Sequence, residues 1–440
     1  MTKFHRASRC IALLASIAFT AFVSSAPVCA AGTDTAVAYQ INVGHDGTQT
    51  DAALAPPYTK AWSVTLPGPV SYPLIAQGLV IVVADNPTDE PTLYALSQST
   101  GAVVWSQLLP YPPTFSYPWA NAAYDNGKVF AIGSAGVMSA FDAASGSQLW
   151  STQLNLEYLF SSPPTAANGV VYTNGAGSGG ETYAIDEASG AMLAHQMVMN
   201  GDHNAPAVSA NGVFVSFACD QSYGFALNTL APLWYYPTGC EGGGGRTAVY
   251  SQDRLFTRDW AGEGNLNIDT VTGTLNGTYA GTSDPTAPAV SGNTLYFVNA
   301  GTLTAQDVSL PSAPTTKWTF AGDGTLVTAP VVITSGNSVV IVGSSAGTLF
   351  AVDAVTGAQV WSGSVVAAID APDENNISQP LTGLAAGQGL LVVPAGNTVT
   401  AFTGYVAPVM PTTKSQCLHG GWVKYGFPSQ GACITYVQTH

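Results

Sequence analysis

Short runs in which apolar and polar residues alternate recur along most of the chain. The clearest run extends from Leu349 to Trp361 and reads LFAVDAVTGAQVW. Its alternation has the two-residue period of a β-strand, and the segment with Asp and Gly between its halves is typical of a tight turn. The run therefore predicts a β-hairpin that ends on a tryptophan.

Related runs follow at a nearly constant interval, which indicates a repeat architecture. Successive copies end about 40 to 45 residues apart, and each interval has room for four short strands. Eight positions mark the ends of the copies: Trp62, Trp105, Trp150, Ala194, Trp234, Gly277, Trp318 and Trp361. Because no helical period of useful length interrupts the pattern, the sequence predicts an all-β, eight-bladed β-propeller.

The two ends of the repeated region complement each other. The stretch around Trp62 has the pattern of the last strand of a repeat, and the final copy, Val399–Gly404, lacks that strand. We therefore expect the N-terminal strand to complete the last blade, which closes the ring and removes exposed sheet edges. The predicted propeller covers residues 57–404.

The repeated residues have structural roles that need no ligand. A glycine in each turn, such as Gly146 or Gly357, supplies the positive φ angle of a tight hairpin. Aspartates such as Asp142 and Asp353 can accept hydrogen bonds from the backbone of that turn. We expect the tryptophans to be buried between neighbouring blades and not to form a stacking platform.

The N-terminal residues have the pattern of an export signal. A basic start, an apolar run from Ile11 to Val23 and the small residues Val28–Ala30 predict a signal peptide over residues 1–30. The apolar run is shorter than the ~20 residues that span a bilayer, so we expect a secreted protein, extracellular or periplasmic, without membrane insertion. Residues 31–56 are polar and show no periodicity, and we interpret them as a disordered leader or linker.

Charge limits the possible partners. Beyond the signal, eight basic residues remain against 26 acidic ones, a net charge near −18. Binding to nucleic acids and anionic membranes needs basic patches on the protein, so neither is expected as a partner. We also expect the protein to be a monomer.

Four cysteines follow the signal: Cys219, Cys240, Cys417 and Cys433. An even number in an oxidising compartment predicts disulfides. Three pairings are open, and closeness in sequence favours Cys219–Cys240 and Cys417–Cys433. None of the spacings is that of a zinc or haem site, and we expect no metal.

The repeated pattern AxDxxTGxxxW resembles the repeat of pyrroloquinoline-quinone-type β-propellers over roughly Trp62–Gly404. The resemblance implies the propeller fold and two kinds of function. Quinoprotein alcohol dehydrogenases of this family bind the quinone and calcium, whereas members such as the propeller lipoprotein of outer-membrane assembly are non-enzymatic and bind other proteins. The motif builds the blade and not the site, so it does not separate them.

A second resemblance lies beyond a Pro/Thr linker at residues 405–415. Residues 416–440 contain Cys-x-x-Gly-Gly-Trp followed by Phe-x-x-Gln-Gly-x-Cys, which resembles a tail module of diverse exported bacterial proteins. The pattern is filled by Cys417, Trp422, Phe427, Gln430, Gly431 and Cys433. A disulfide across the tail would stabilise a module too small for its own core by about 3 kcal/mol.

In a propeller, functional residues normally lie in the loops that lead into the innermost strands at one end of the central channel. Three such loops stand out: the aromatic and proline-rich Tyr111–Trp119, the polar Asn200–Asn204, and Thr238–Thr247 with four consecutive glycines. All arginines beyond the signal follow the glycines, at Arg246, Arg254 and Arg258.

The arginines and glycines offer donors to an anionic or carbonyl-bearing group. We therefore predict a ligand or protein site at the channel mouth that draws on Tyr117, Trp119, Asp202, His203, Asn204, Glu241, Gly243, Gly244, Arg246, Arg258 and Asp259. Packing of the aromatic loop, a structural histidine, and an Arg246 paired with Glu241 or Asp259 are the structural alternatives.

The dehydrogenase alternative implies calcium-binding oxygens, a general base and an arginine beside pyrroloquinoline quinone. Glu157, Asn204, Asp259 and Arg246 are the candidates. The sequence lacks the adjacent cysteines that typically cap the quinone, a haem motif and long loop insertions, and no G-x-S-x-G motif indicates a hydrolase. We expect a non-catalytic scaffold without a cofactor that binds a protein, peptide or small polar ligand. A quinone- and calcium-dependent oxidoreductase of alcohols or sugars is the alternative.

Overall fold

The chain folds into an all-β propeller. Eight antiparallel sheets of four strands form the blades, and a short parallel strand extends one of them. The predicted fold class and blade number are confirmed. The computed structural model describes residues 34–86, 90–110, 119–201, 203–238, 246–258, 265–280, 286–372, 374, 380–405 and 410–439.

Blades 1 to 4 are each built from four consecutive strands, and the first strand of each blade lies next to those of its neighbours around the axis. Before them come β1 (Thr48–Gln49), a 3₁₀ turn (Ala52–Leu54) and β2 (Thr59–Thr65). The strands of blades 1 and 2 are β3 (Leu74–Ala76), β4 (Leu79–Ala84), β5 (Thr92–Ser97), β6 (Val103–Leu108), β7 (Ala120–Asp125), β8 (Lys128–Gly133), β9 (Val137–Asp142) and β10 (Gln148–Gln153). Those of blades 3 and 4 are β11 (Thr165–Ala167), β12 (Val170–Ala176), β13 (Gly180–Asp186), β14 (Met192–Val198), β15 (Ala207–Ser209), β16 (Gly212–Ser216), β17 (Ser222–Phe225) and β18 (Pro232–Tyr236), with a 3₁₀ turn at Ala218–Asp220.

Blades 5 to 7 repeat this order, and blade 8 takes its outer strand from the N-terminal region. The strands of blades 5 and 6 are β19 (Val249–Ser251), β20 (Arg254–Phe256), β21 (Asn265–Asp269), β22 (Leu275–Tyr279), β23 (Ala289–Ser291), β24 (Thr294–Asn299), β25 (Thr302–Asp307) and β26 (Thr315–Phe320). Those of blades 7 and 8 are β27 (Val331–Ile333), β28 (Val339–Gly343), β29 (Thr348–Asp353), β30 (Gln359–Ser364), β31 (Ala385–Gly387), β32 (Leu390–Ala395) and β33 (Thr398–Thr403).

The position of a strand within its blade explains its hydrophobic pattern. The second strand of a blade packs against neighbouring blades on both faces, and all six residues of β4 (LVIVVA) are buried. The outer strand has one solvent face, and β30 (QVWSGS) shows the corresponding alternation of exposed and half-buried residues. The core therefore lies between the blades and not within one layer.

The ring is closed by pairing of the two ends of the repeated region. Strand β2 lies antiparallel to β33, with Trp62 opposite Ala401 and Thr65 opposite Thr398. The predicted closure is confirmed.

Tryptophan side chains join five pairs of successive blades. The Nε1–H group of Trp105 in blade 1 donates to the carbonyl of Ala143 in blade 2 at 2.9 Å. Gly146 has a φ of +71°, and a Cβ there would lie 2.6 Å from this indole ring. A glycine is therefore needed both for the turn conformation and for the close approach of the ring. The same hydrogen bond to the next blade, at 2.7–3.2 Å, is made by Trp62, Trp150, Trp234 and Trp318.

The polar segment before β2 lies inside the ring. Its interpretation as a disordered leader is wrong for residues 34–56. Ala36, Tyr39 and Ile41 are buried, and the polar Gln40 and His45 are buried with them. Low hydrophobicity does not make this segment disordered, because its backbone pairs with the inner strands of the blades.

The segment follows the inner strands around the axis. In six blades the same position of the innermost strand donates its backbone N–H to a carbonyl of the segment, at 2.7–2.8 Å. These N–H groups face the channel, where burial without a partner would be costly. The donors are Ile75, Tyr124, Val208, Tyr250, Val290 and Val332, and the acceptors in the same order are Ala36, Val37, Val43, Gly44, Asp46 and Gly47.

Side chains of the segment reach the two remaining blades. The Nε2 atom of His45 lies 3.1 Å from Thr165 Oγ1 in blade 3. The Nε2–H group of Gln49 donates to the carbonyl of Ala386 in blade 8 at 2.7 Å. The segment therefore contacts all eight blades.

The C-terminal tail is helical. It contains α1 (Lys414–Cys417), α2 (Gly421–Lys424) and α3 (Gln430–Thr439). The predicted Cys417–Cys433 disulfide is confirmed, with 5.7 Å between the two Cα atoms, and it links α1 to α3. In the part of the chain that the structure describes, no helix has the length and apolar character to cross a membrane.

We expect Trp105→Ala to lower the free energy of unfolding by about 3–5 kcal/mol, because it removes a large buried side chain at a blade junction. The exposed neighbour Val104 is the control, and Val104→Ala should change stability by no more than about 0.5 kcal/mol. Chemical denaturation followed by circular dichroism measures both variants. Equal stabilities of the two would contradict a junction role.

We expect His45→Ala to lower the free energy of unfolding by about 2–4 kcal/mol. It leaves the carbonyl of Tyr39, 2.7 Å from Nδ1 of His45, and the hydroxyl of Thr165, 3.1 Å from Nε2, buried without this partner. His195, whose side chain is 46% exposed, offers the matched control His195→Ala. If both histidine variants melt like the wild type, the segment contributes little to the ring.

Candidate functional site

The connections between blades lead into the innermost strands at one end of the channel, which we call the loop end. A buried carboxylate there joins two connections that are distant in sequence. Glu374 Oε2 accepts hydrogen bonds from the backbone N–H of Thr247 at 2.8 Å and from its hydroxyl at 2.6 Å. Glu374 lies between blades 7 and 8, whereas Thr247 leads into blade 5. Both residues are buried, so this contact ties opposite parts of the ring together.

The sequence prediction missed Glu374. The sequence does contain a feature that points to Glu374. Residues 365–384 form the longest connection between two blades, and they contain the polar run DENN. The expectation that the chain has no long loop insertion concealed this connection.

Arg246 and His203 lie at the loop end. Arg246 directly precedes Thr247 and is 8% exposed, and His203 is 9% exposed. Burial, and then the positive charge of Arg246, lower the pKa of His203 to about 4. The imidazole is therefore neutral at neutral pH. The backbone N–H of His203 donates to Ser161 Oγ at 3.3 Å.

Tyr39 enters the same region from the N-terminal segment. Its ring lies 5.3 Å from the ring of Tyr72, centroid to centroid, and it is 1% exposed. Burial raises the pKa of Tyr39, the negative charge of Glu374 raises it further, and Arg246 opposes them. The hydroxyl has no hydrogen-bond partner among the described residues. The sequence could not place Tyr39 here, because it belongs to a segment without periodicity.

Asn204 and Trp119, two of the predicted ligand residues, have contacts within the framework, and their ligand roles stay predictions. The carbonyl of Asn204 accepts from Asn174 Nδ2 at 3.1 Å and from Ser162 Oγ, which links blades 3 and 4. Trp119 is 2% exposed and packs in the core beside blade 2, as in the structural alternative for its loop.

Arg258 also has contacts within the framework. Its guanidinium donates to the carbonyl of Thr286 at 3.0 Å and to that of Val298 at 2.6 Å, and the side chain is 1% exposed. Arg254 donates to the carbonyl of Val308 at 3.0 Å. These bonds join blades 5 and 6, the junction at which Gly277 replaces the usual tryptophan. The ligand role of Arg258 stays a prediction.

Several predicted positions lie outside the described residues and stay predictions. Cys219 is disulfide-bonded, but its expected partner belongs to this group, so the pairing is untested. The positions are Tyr117, Asp202, Cys240, Glu241, Gly243, Gly244 and Asp259.

Comparison with known protein families identifies the family of this chain. The family model PQQ_2, described as "Outer membrane protein assembly factor BamB", matches residues 43–157, 134–263 and 231–370. The chain belongs to this family. No curated protein sequence matches the chain.

Solved structures of the same fold include both functional kinds. BamB from Moraxella catarrhalis is 17% identical with a TM-score of 0.56, over 79% of this chain and 98% of that one. Quinohemoprotein alcohol dehydrogenase ADHIIG from Pseudomonas putida HK5 is 13% identical with a TM-score of 0.63, over 90% and 86%. The quinohemoprotein alcohol dehydrogenase from Comamonas testosteroni is 14% identical with a TM-score of 0.64, over 87% and 82%. At these identities the likeness shows the fold alone.

Three of the four candidates for a quinone and calcium site lie among the described residues, in different parts of the propeller. Glu157 Oε2 accepts from the backbone N–H of Ser178 at 2.6 Å in blade 3, Asn204 links two blades, and Arg246 lies at the loop end. The fourth candidate, Asp259, is outside the described residues. Within the described ranges, no three His, Cys, Asp or Glu side chains are grouped closely enough to hold a metal ion.

His203 should make the protein less stable in acid. Its folded pKa of about 4 lies below the unfolded value near 6.5, so protonation favours the unfolded chain and stability falls as the pH drops from about 6.5 to 4. Asparagine tolerates the φ of +72° at this position, and His203→Asn should reduce that fall by about 1 kcal/mol per pH unit. Denaturation at pH 7, 5.5 and 4 measures it, with the exposed His195→Asn as control. Parallel pH profiles for wild type and His203→Asn would contradict the assignment.

Proposed function

We propose that the protein is an exported, non-catalytic propeller that binds a ligand or a partner protein at the loop end of its channel. The family model is named for an outer-membrane assembly factor, which favours a binding role over an enzymatic one. The Cys417–Cys433 disulfide is typical of an oxidising compartment and supports export, as does the signal-like start of the sequence.

The observation that carries the proposal is that the chain fills its own channel. A quinone cofactor is a rigid planar molecule and needs an open slot with room on both faces of its ring. Here Tyr39 packs on Tyr72, and a Cβ on Gly383 would already lie 3.1 Å from the Tyr39 ring. With Glu374 bonded across to Thr247, the loop end is suited to holding a small or peripheral group and not a large planar one.

Charge supports the same conclusion. Pyrroloquinoline quinone carries three carboxylates, whereas the described loop end offers Arg246 and Arg258 beside the carboxylate of Glu374, and Arg258 already donates to two backbone carbonyls. Burying several negative charges against so small a positive charge is unfavourable at low dielectric.

Incubation of the purified protein with calcium and pyrroloquinoline quinone tests the proposal. We expect no retained chromophore after gel filtration and no dye reduction with alcohols or sugars, with a known quinoprotein alcohol dehydrogenase as positive control. Turnover at or above about 1 s⁻¹, the lower range of ordinary enzymes, would overturn the proposal.

A further inference from the structure

We propose that the outer strand of blade 3 carries a binding site for the soft monovalent ion Cu(I), formed by His195, Met197 and Met199. The site lies on the outer surface of the propeller and shares no residue with the loop end, so this inference goes beyond the proposed binding role. Cysteine spacings, on which the expectation of no metal rests, carry no information about thioether ligands.

Methionine is rare in this chain and is concentrated in one place. Of the six methionines, three lie within eight residues, at Met192, Met197 and Met199. Their side chains are 45%, 71% and 49% exposed, although methionine is a residue type that is commonly buried. Met138, by contrast, is fully buried between blades. Packing of the core therefore does not account for the thioethers on the outer strand.

Strand geometry brings three donors into one row. Strand β14 spans Met192–Val198, and alternate residues of a strand point to the same face, which places His195 and Met197 together. Met199 follows directly after the strand, again two residues on. A step of two residues is roughly 7 Å along a strand, a distance that two long side chains can close around one ion.

Glu181 on the neighbouring strand β13 shows independently that the imidazole lies beside Met197. It stands directly opposite Met197 in the register of the two strands, and its Oε2 atom lies 3.2 Å from Nδ1 of His195. Residues directly opposite each other share a face of the sheet. The carboxylate is therefore a common neighbour of both side chains.

The same contact prepares the histidine for a metal. A metal-ligating histidine usually donates the N–H group of its other ring nitrogen to a carboxylate, which fixes the tautomer and the orientation of the ring. Among the described residues, the hydrogen bond of the His195 ring is made through Nδ1 to Glu181. Nε2, on the side chain that is 46% exposed, is then the nitrogen that binds the ion.

The donor set selects the class of ion. Thioethers are soft ligands that favour Cu(I), and an imidazole suits copper as well, whereas Mg²⁺ and Ca²⁺ require several oxygen ligands. The net charge of −15 attracts cations to the protein. Exposed methionines also occur at protein contacts, where leucine of similar volume serves equally well. Substitution of methionine by leucine therefore separates a metal site from a contact surface.

Titration of the full protein with Ag(I), a redox-stable analogue of Cu(I), in chloride-free buffer at neutral pH tests the site. Met197→Leu should lower the affinity by about tenfold or more. Because Met197 is exposed, the melting temperature of the metal-free protein should stay unchanged. Thiols elsewhere in the chain are the same in every variant. Equal affinity of the wild type and Met197→Leu overturns the proposal.

Met192→Leu is the matched control. Met192 is exposed on the same strand but lies five residues before Met197, about 16 Å along the strand, which is too far for both sulfurs to bind one ion. The variant should keep the wild-type affinity. If it loses as much affinity as Met197→Leu, the loss does not come from this site and the proposal fails.

Nuclear magnetic resonance of protein labelled at the methionine methyl groups identifies the ligands directly. Ag(I) should shift the signals of Met197 and Met199 and leave those of Met138 and Met192 in place. A signal of Met197 or Met199 that does not move overturns the set of three donors.

Competition tests the class of ion. An excess of Zn(II) should not displace Ag(I) from the wild type, and without oxygen the wild type should withdraw more Cu(I) from its bicinchoninate complex than Met197→Leu does. Displacement by Zn(II), or equal withdrawal of Cu(I) by the two proteins, overturns the proposal. Failure of these tests leaves the proposed role of the loop end untouched, because the two sites have no residue in common.

Discussion

The exposed backbone of the innermost strands is the constraint on which the rest of this propeller depends. Eight short strands surround the axis, and each presents an unpaired edge to the channel. The chain satisfies these edges with its own N-terminal segment, through equivalent N–H groups in six blades and through His45 and Gln49 in the other two. Residues 34–56, whose sequence resembles a linker, therefore line the channel and pair with the innermost strands.

The blade junctions show how one structural role is filled by different residues. Five junctions use a tryptophan that covers a hairpin glycine and donates to the next blade. At the junction that follows Gly277, Arg254 and Arg258 make the bonds to the next blade instead. This exchange explains why arginines are clustered in a strongly acidic protein. Two of the three make bonds within the framework, and Arg246 lies at the loop end beside Thr247.

The N-terminal segment also links the framework to the candidate site. Tyr39 brings its ring to the loop end, and its carbonyl accepts from His45, the residue that reaches blades 3 and 4. The loop end and the segment that holds the ring together therefore share Tyr39. Glu374 adds a second connection across the channel through Thr247.

The sequence by itself determined the architecture. A period of about 43 residues, hairpin glycines and tryptophans, and a strand missing at one end and present at the other were enough for eight blades and their closure. These features are local and repeat, so each copy reinforces the others. Only the tertiary structure decided the place of residues 34–56, the framework bonds of Arg258 and the contact of Glu374 with Thr247. Each of these depends on backbone or polar partners that are distant in sequence and occur once, and a hydrogen bond to a remote carbonyl leaves no periodic mark on the residue that makes it.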